Sequence, residues 1–209
     1  MIDSSTMAKR SYKQNCALAQ ASDVIGERWS MLLVRDLLVG PRRFNELGRS
    51  LKGIGTNLLA ARLKELEAAG IIERRQNDGG AHLYALTEPG QALEPALLAL
   101  VRWGLTYGPE NQKGFHHRDD WDLLALKALF QADQVDDLSV CVQFRTEAFE
   151  AWMAIDHQQV AMELGETPRP DVTVDGTIKD LFTGPKSPDQ LCASGSTGKL
   201  KRFMSAFAL

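Results

Sequence analysis

The 209-residue chain is short of the residues that mark special compartments or chemistries. It has three cysteines, Cys16, Cys141 and Cys192, odd in number and far apart. That pattern gives neither a disulfide framework nor a zinc spacing. No apolar run reaches spanning length, because the best candidate, Ala96 to Leu105, is short and interrupted by Arg102. The first residues, MIDSSTMAKRSYKQN, lack the apolar core of a secretory signal. The expected compartment is therefore the cytoplasm, with no membrane partner. No acid–base pair, nucleophile arrangement or cofactor loop stands out, so the chain is not expected to be an enzyme and no cofactor is expected. Gly195-Ser-Thr-Gly198-Lys199 lacks the full phosphate-loop spacing, and His116-His117 with Asp119-Asp120 reads as a solvated linker rather than a metal site.

What remains is an ordinary globular composition, 44% hydrophobic and 24% charged, long enough for two domains. Charge divides unevenly. Residues 1–118 hold 16 Lys and Arg against 12 Asp and Glu, whereas residues 119–209 hold 8 against 15. A mildly basic front and an acidic back suggest two jobs, with any nucleic acid meeting the front.

Along the front half, Asn15–Ile25, Trp29–Val39 and Arg43–Leu51 read as short helices, punctuated by Gly26 and Gly40-Pro41. In GIGTNLLAARLKELEAAGIIERR, Leu59, Leu63 and Leu66 fall on one side of a fourth helix that stops at Gly70. Ile71–Gln76 and Ala81–Thr87 form a hairpin around Asn77-Asp78-Gly79-Gly80, and a long helix is expected from about Glu88 to Tyr107. The polar stretch 108–119 separates domain 1–110 from domain 119–209. In the second domain, Trp121–Gln131 is an amphipathic helix, and Leu138–Arg145, Ala148–Ile155 and Val160–Leu164 alternate as half-buried strands do. Helices are expected at Thr177–Phe182 and Leu200–Phe207, which makes this half α+β.

Short helices followed by a hairpin are the order of a winged helix-turn-helix. A helix entering the major groove needs one apolar face and an outer face of small or hydrogen-bonding groups. Thr56, Asn57, Ala60 and Ala61 supply that face, with Arg62 and Lys64 for phosphates. Arg74, Arg75, Gln76 and His82 on the hairpin, and Arg42 and Arg43 before the third helix, complete the candidate contacts to double-stranded DNA. A plain amphipathic helix packed on a hairpin has the same periodicity, and that reading stays open on spacing alone.

The run YKQNCALAQASDVIGERWSMLLVRDLLVGPRRFNELGRSL, followed by LLAARLKELEAAGIIERR and YALTEPG, resembles the HxlR family of bacterial transcriptional regulators. The resemblance covers about Tyr12 to Gly104. It implies a homodimer on a palindromic operator, with dimer contacts from the first helix and from the Glu88–Tyr107 segment. It also implies that Cys16, near a helix start and close to Lys13, acts as a redox or electrophile sensor, against which stands the reading of a small buried filler. The chain departs from the family pattern in having Gly55, Ala60 and Ala61 where polar residues are common, and in having no proline in the hairpin.

Residues 119–209, with PDVTVDGTIKDLFTG and SPDQLCASGSTGKLKRFMSAFAL, resemble the sterol-carrier-protein-like fold. That implies an apolar tunnel for a hydrophobic small molecule, with Phe149, Trp152, Leu181, Phe182, Phe203 and Phe207 as wall candidates. The same residues would also serve any small α+β core. A carrier of hydrophobic ligands that uses its helical half only to dimerise is the competing reading of the whole chain.

Overall fold

The computed structural model describes residues 11–77, 79–109, 114–135, 137–178 and 192–207. The front half begins with α1 (Ala17–Ile25), α2 (Ser30–Val39), α3 (Phe44–Ser50) and α4 (Thr56–Ala68). In α4 the leucines recur at positions i, i+4 and i+7, and Leu59, Leu63 and Leu66 are each buried to 1% exposure. Each such burial stabilises the fold by about 1.5–3 kcal/mol. They pack with Leu33, Val34 and Leu37 of α2 and Leu47 of α3 into one helical core. Gly70 ends α4 at a φ of 70°, a left-handed turn that lets the Ile71 amide donate back to the Leu66 carbonyl.

β1 (Ile72–Gln76) and β2 (His82–Leu86) then pair antiparallel, with Ile72 opposite Leu86 and Gln76 opposite His82. Asn77 closes the turn, its side-chain oxygen accepting from the Ala81 amide at 2.8 Å. The helix expected over Glu88–Tyr107 is in fact two. A single turn, α5 (Glu88–Gln91), is separated from α6 (Glu94–Tyr107) at Ala92-Leu93. Pro95 is the reason: it sits in the first turn of α6, where its missing N–H costs nothing, so it starts a helix instead of kinking one. Thr87 anchors the preceding corner by donating to the Ile71 carbonyl at 3.0 Å, and Gly90 packs so tightly there that a Cβ would collide with the same carbonyl.

The second half opens with α7 (Trp121–Leu129) and a short 3-10 turn, and closes with α8 (Thr197–Ser205). Between them lie β3 (Ser139–Arg145), β4 (Glu150–Asp156), β5 (Gln159–Leu164), β6 (Val172–Asp175) and β7 (Ala193–Gly195). The sheet order is β5-β4-β3-β6-β7, with β3 and β6 parallel and the other pairs antiparallel. Val140, Val142 and Phe144 of β3 share one face with Met153 and Ile155 of β4, and Leu123, Leu126, Leu200 and Phe203 of the two helices belong to the same core. The helix expected over Thr177–Phe182 falls almost wholly outside the described residues. Val39, the last residue of α2, belongs to the sheet core, so the first domain plugs into the second.

Candidate nucleic-acid interface

α4 turns its buried leucines inward, and the outward face follows from geometry. Thr56, Asn57, Ala60, Ala61 and Lys64 are all exposed. The N-cap is Gly55, without a side-chain cap bond, so Thr56 and Asn57 lie in the first helical turn and do not occupy the cap. The two alanines keep this surface low enough for another backbone or a methyl group to approach.

Beside α4 lies the wing. A surface hollow of about 370 Å³ is lined by Ala60, Lys64 and Glu67 of α4, Phe44 of α3, and Arg74 and Tyr84 of the hairpin. The helix and the hairpin thus offer cations to one shared surface. Arg74 lies 5.2 Å over the Tyr84 ring and donates to its hydroxyl at 2.9 Å. That hydrogen bond raises the Arg74 pKa, so the guanidinium stays charged on the wing. Arg75 pairs with nearby Glu73 yet remains 58% exposed, and Gln76 and His82 face solvent at the turn end of the ladder. Arg43 is exposed at the start of α3, where its amide donates to Glu46 at 2.6 Å.

Two of the cations expected to contact DNA are engaged elsewhere. Arg62 is only 15% exposed and binds Glu65 on its own helix and Glu27 at 2.9 Å, tying α4 to the turn before α2. Arg42 turns to the second domain and donates to Asp120 at 2.6 Å. Both are positioned as braces, because each guanidinium already donates to a carboxylate of the chain.

The seam between the halves was invisible in the sequence. Asp120 is buried and accepts from Arg118 at 2.9 and 2.7 Å as well as from Arg42. Burial alone would raise its pKa, but the Arg118 hydrogen bond and charge, then Arg42 and Arg35, outweigh it and hold the carboxyl below the usual value. Trp121 donates its indole N–H to buried Asp36 at 3.0 Å, under the Arg35 guanidinium at 3.8 Å from its ring. Along α6 and α7, Lys127 pairs with Glu94 at 2.6 Å and Arg102 donates to the Ala128 carbonyl at 2.9 Å. His117, Asp119 and Asp122 bring potential ligand atoms within 4.8 Å of one another, a convergence not expected of a polar linker.

The four described wall candidates of the second domain, Phe149, Trp152, Phe203 and Phe207, have different surroundings. Phe203 and Phe207 are buried against each other at 5.0 Å, with Phe144 and Phe130 beside them. Trp152 lies on the opposite face of β4 from Met153, across from Gln143 and Glu163. Phe149 borders the surface hollow that holds Arg42 and Asp120, and Leu181 and Phe182 lie outside the described residues.

Cys16 is exposed at the N-cap of α1. The backbone amides of Ala19 and then Leu18 lower its thiol pKa. Cys141 differs: burial pushes its thiol up.

A family model described as HxlR-like helix-turn-helix matches residues 24–112, which take in α2, α3, α4, the two-stranded wing, α5 and α6. The uncharacterized HTH-type transcriptional regulator YybR of Bacillus subtilis is 37% identical over 94 residues, which span 44% of this chain and 75% of that protein. The chain belongs to the HxlR-like helix-turn-helix family. The uncharacterized HTH-type transcriptional regulator Mb3122 of Mycobacterium bovis is 38% identical over 95 residues, and the chain spans 60% of its length. Among solved structures, the reduced form of the transcriptional regulator YodB from B. subtilis is 30% identical and matches 47% of this chain and all of that one, with a TM-score of 0.41. The HxlR-like region ends near residue 112, so the sheet domain lies beyond it. Among the described residues no helix is long and apolar enough to cross a membrane.

Proposed function

We propose that the protein is a one-component transcription regulator that binds double-stranded DNA as a homodimer. In this reading α4 enters the major groove and the wing holds the flanking backbone. The observation that carries it is the exposed row Thr56, Asn57, Ala60, Ala61 and Lys64, whose Ala60 and Lys64 share one surface with the wing cation Arg74. The Asn57 amide reads an adenine edge, the alanines accept a thymine methyl, and Lys64, Arg43, Arg74 and Arg75 meet phosphates.

A two-fold dimer is supported by apolar residues that the chain leaves uncovered on α1 and α6, namely Leu18, Leu100, Trp103, Leu105 and Tyr107. The sheet domain, in its resemblance to the sterol-carrier-like fold, is the seat of a hydrophobic effector that favours one dimer geometry over the other. Native mass spectrometry of the purified full chain tests that part, since a co-purified lipid appears as a discrete added mass. Its absence at every charge state counts against the effector.

A second reading is favoured by the exposed, helix-stabilised thiol of Cys16: the regulator responds to oxidants or electrophiles. At pH 7.5, iodoacetamide then alkylates Cys16 faster than the half-buried Cys141, as peptide mass spectrometry reads, and alkylation changes the affinity for DNA. Equal rates at the two thiols remove this reading.

The main test is fluorescence anisotropy with a labelled duplex of the intergenic DNA upstream of the protein's own gene, across salt concentrations. Affinity falls steeply with salt if phosphates are bound. No binding by wild type at low salt rejects the regulator.

A further inference from the structure

The pair Arg42–Asp120 joins the second domain to the wing through an unbroken series of short contacts. Asp120 begins the first turn before α7, and Trp121 beside it is held by Asp36 and Arg35 of α2. Arg42, which takes Asp120, is also a strand-like partner of the wing. Its amide donates to the Tyr84 carbonyl at 3.0 Å, and its carbonyl accepts from the Tyr84 amide at 2.8 Å. Tyr84 in turn carries Arg74 on its hydroxyl. The root of the wing is therefore bonded on one side to β2 and on the other to the acidic domain.

The energetics make this connection stiff. A carboxylate at the burial of Asp120 is tolerated only while guanidinium groups fill its oxygens, and Arg118 and Arg42 do so together. A shift of α7 against α2 has two outcomes: Arg42 follows and drags β2, or the pair opens and leaves the largely buried Arg42 without its carboxylate while Arg118 keeps Asp120.

We propose that Arg42 and Asp120 are positioning residues that transmit the placement of the sheet domain to the wing, and so set how well the wing engages DNA. This rests on the reading of α4 and the wing as the DNA face. Sequence alone places Arg42 among the DNA contacts, whereas here it acts through Tyr84 and Arg74.

The test combines two readouts on the full-length dimer: hydrogen exchange of peptides covering the wing (residues 72–86) and α4, and anisotropy with the upstream duplex. In Asp120→Asn the wing exchanges about fivefold faster while α4 keeps its wild-type rate, and duplex affinity falls. Arg42→Gln behaves alike, Arg42→Lys recovers much of the loss, and Arg42→Gln with Asp120→Asn is no worse than the worse single change. Wing exchange at the wild-type rate in Asp120→Asn, or equal acceleration of the wing and α4, overturns the proposal, the latter because it marks general loosening. If wild type binds no duplex, the DNA reading fails and the exchange readout still decides the coupling.

Discussion

The helical core and the sheet core treat their surfaces differently. In the sheet domain the described large hydrophobics are buried or half-buried, from Phe144 and Met153 on the sheet to Phe203 on α8. In the helical domain α2 and α4 bury most of their large hydrophobics but leave Met31, Leu32 and Leu58 exposed, and α6 buries Leu97 while leaving Leu100 at 53% and Trp103 at 59% exposure. One region is finished by its own chain. The other leaves an apolar stripe uncovered, on the elements that the family resemblance assigns to the dimer.

The most damaging way to break this contrast is inside the sheet domain. Phe203→Ala removes a fully buried ring that touches both Phe144 and Phe207, and is expected to cost about 3–5 kcal/mol in chemical denaturation. Trp103→Glu acts on the other region in the opposite manner: the monomer fold stays intact by circular dichroism, while dimerisation weakens by about 2 kcal/mol or more in sedimentation. A wild-type chain that sediments as a monomer at every concentration would dissolve the contrast.

A smaller effect comes from the seam between the regions. The Asp120 pKa is depressed by Arg118, Arg42 and Arg35, so its pairing stabilises fully above the ordinary carboxyl pKa of about 4 and is lost as pH falls below it. Titrating from pH 6 to pH 3 should therefore loosen wild type more than Asp120→Asn, read as the fall in melting temperature. Parallel curves for the two proteins would contradict this.

Much of the helical domain was legible because its signals are local. The Leu59–Leu63–Leu66 spacing, the Gly70 stop and the Asn77–Gly80 turn each depend on residues a few positions apart, and strand alternation found β3, β4 and β5 for the same reason. What escaped depends on distant partners. Arg42 looks like a free cation in sequence, yet its acid lies 78 residues away, and Arg62 holds, besides Glu65 on its own helix, an acid 35 residues away. The break before α6 escaped because Pro95 fits a helix interior as a kink or a first turn as a start, and the spacing of its neighbours does not distinguish them. The parallel pairing of β3 with β6 likewise leaves no periodic trace, and the scatter of Phe149, Trp152 and Phe203 over different surroundings follows from faces that only the register reveals.

The central claim, that α4 and the wing form a DNA-reading surface, is tested most directly by anisotropy titrations of wild type, Asn57→Ala and Lys64→Ala against the upstream duplex at several salt concentrations. The account predicts salt-dependent binding by wild type, a loss of about 1–3 kcal/mol in Asn57→Ala that is larger on the upstream duplex than on an unrelated one, and in Lys64→Ala a weaker affinity on both with a salt slope smaller by about one. Affinities of both variants equal to wild type on both duplexes would contradict it.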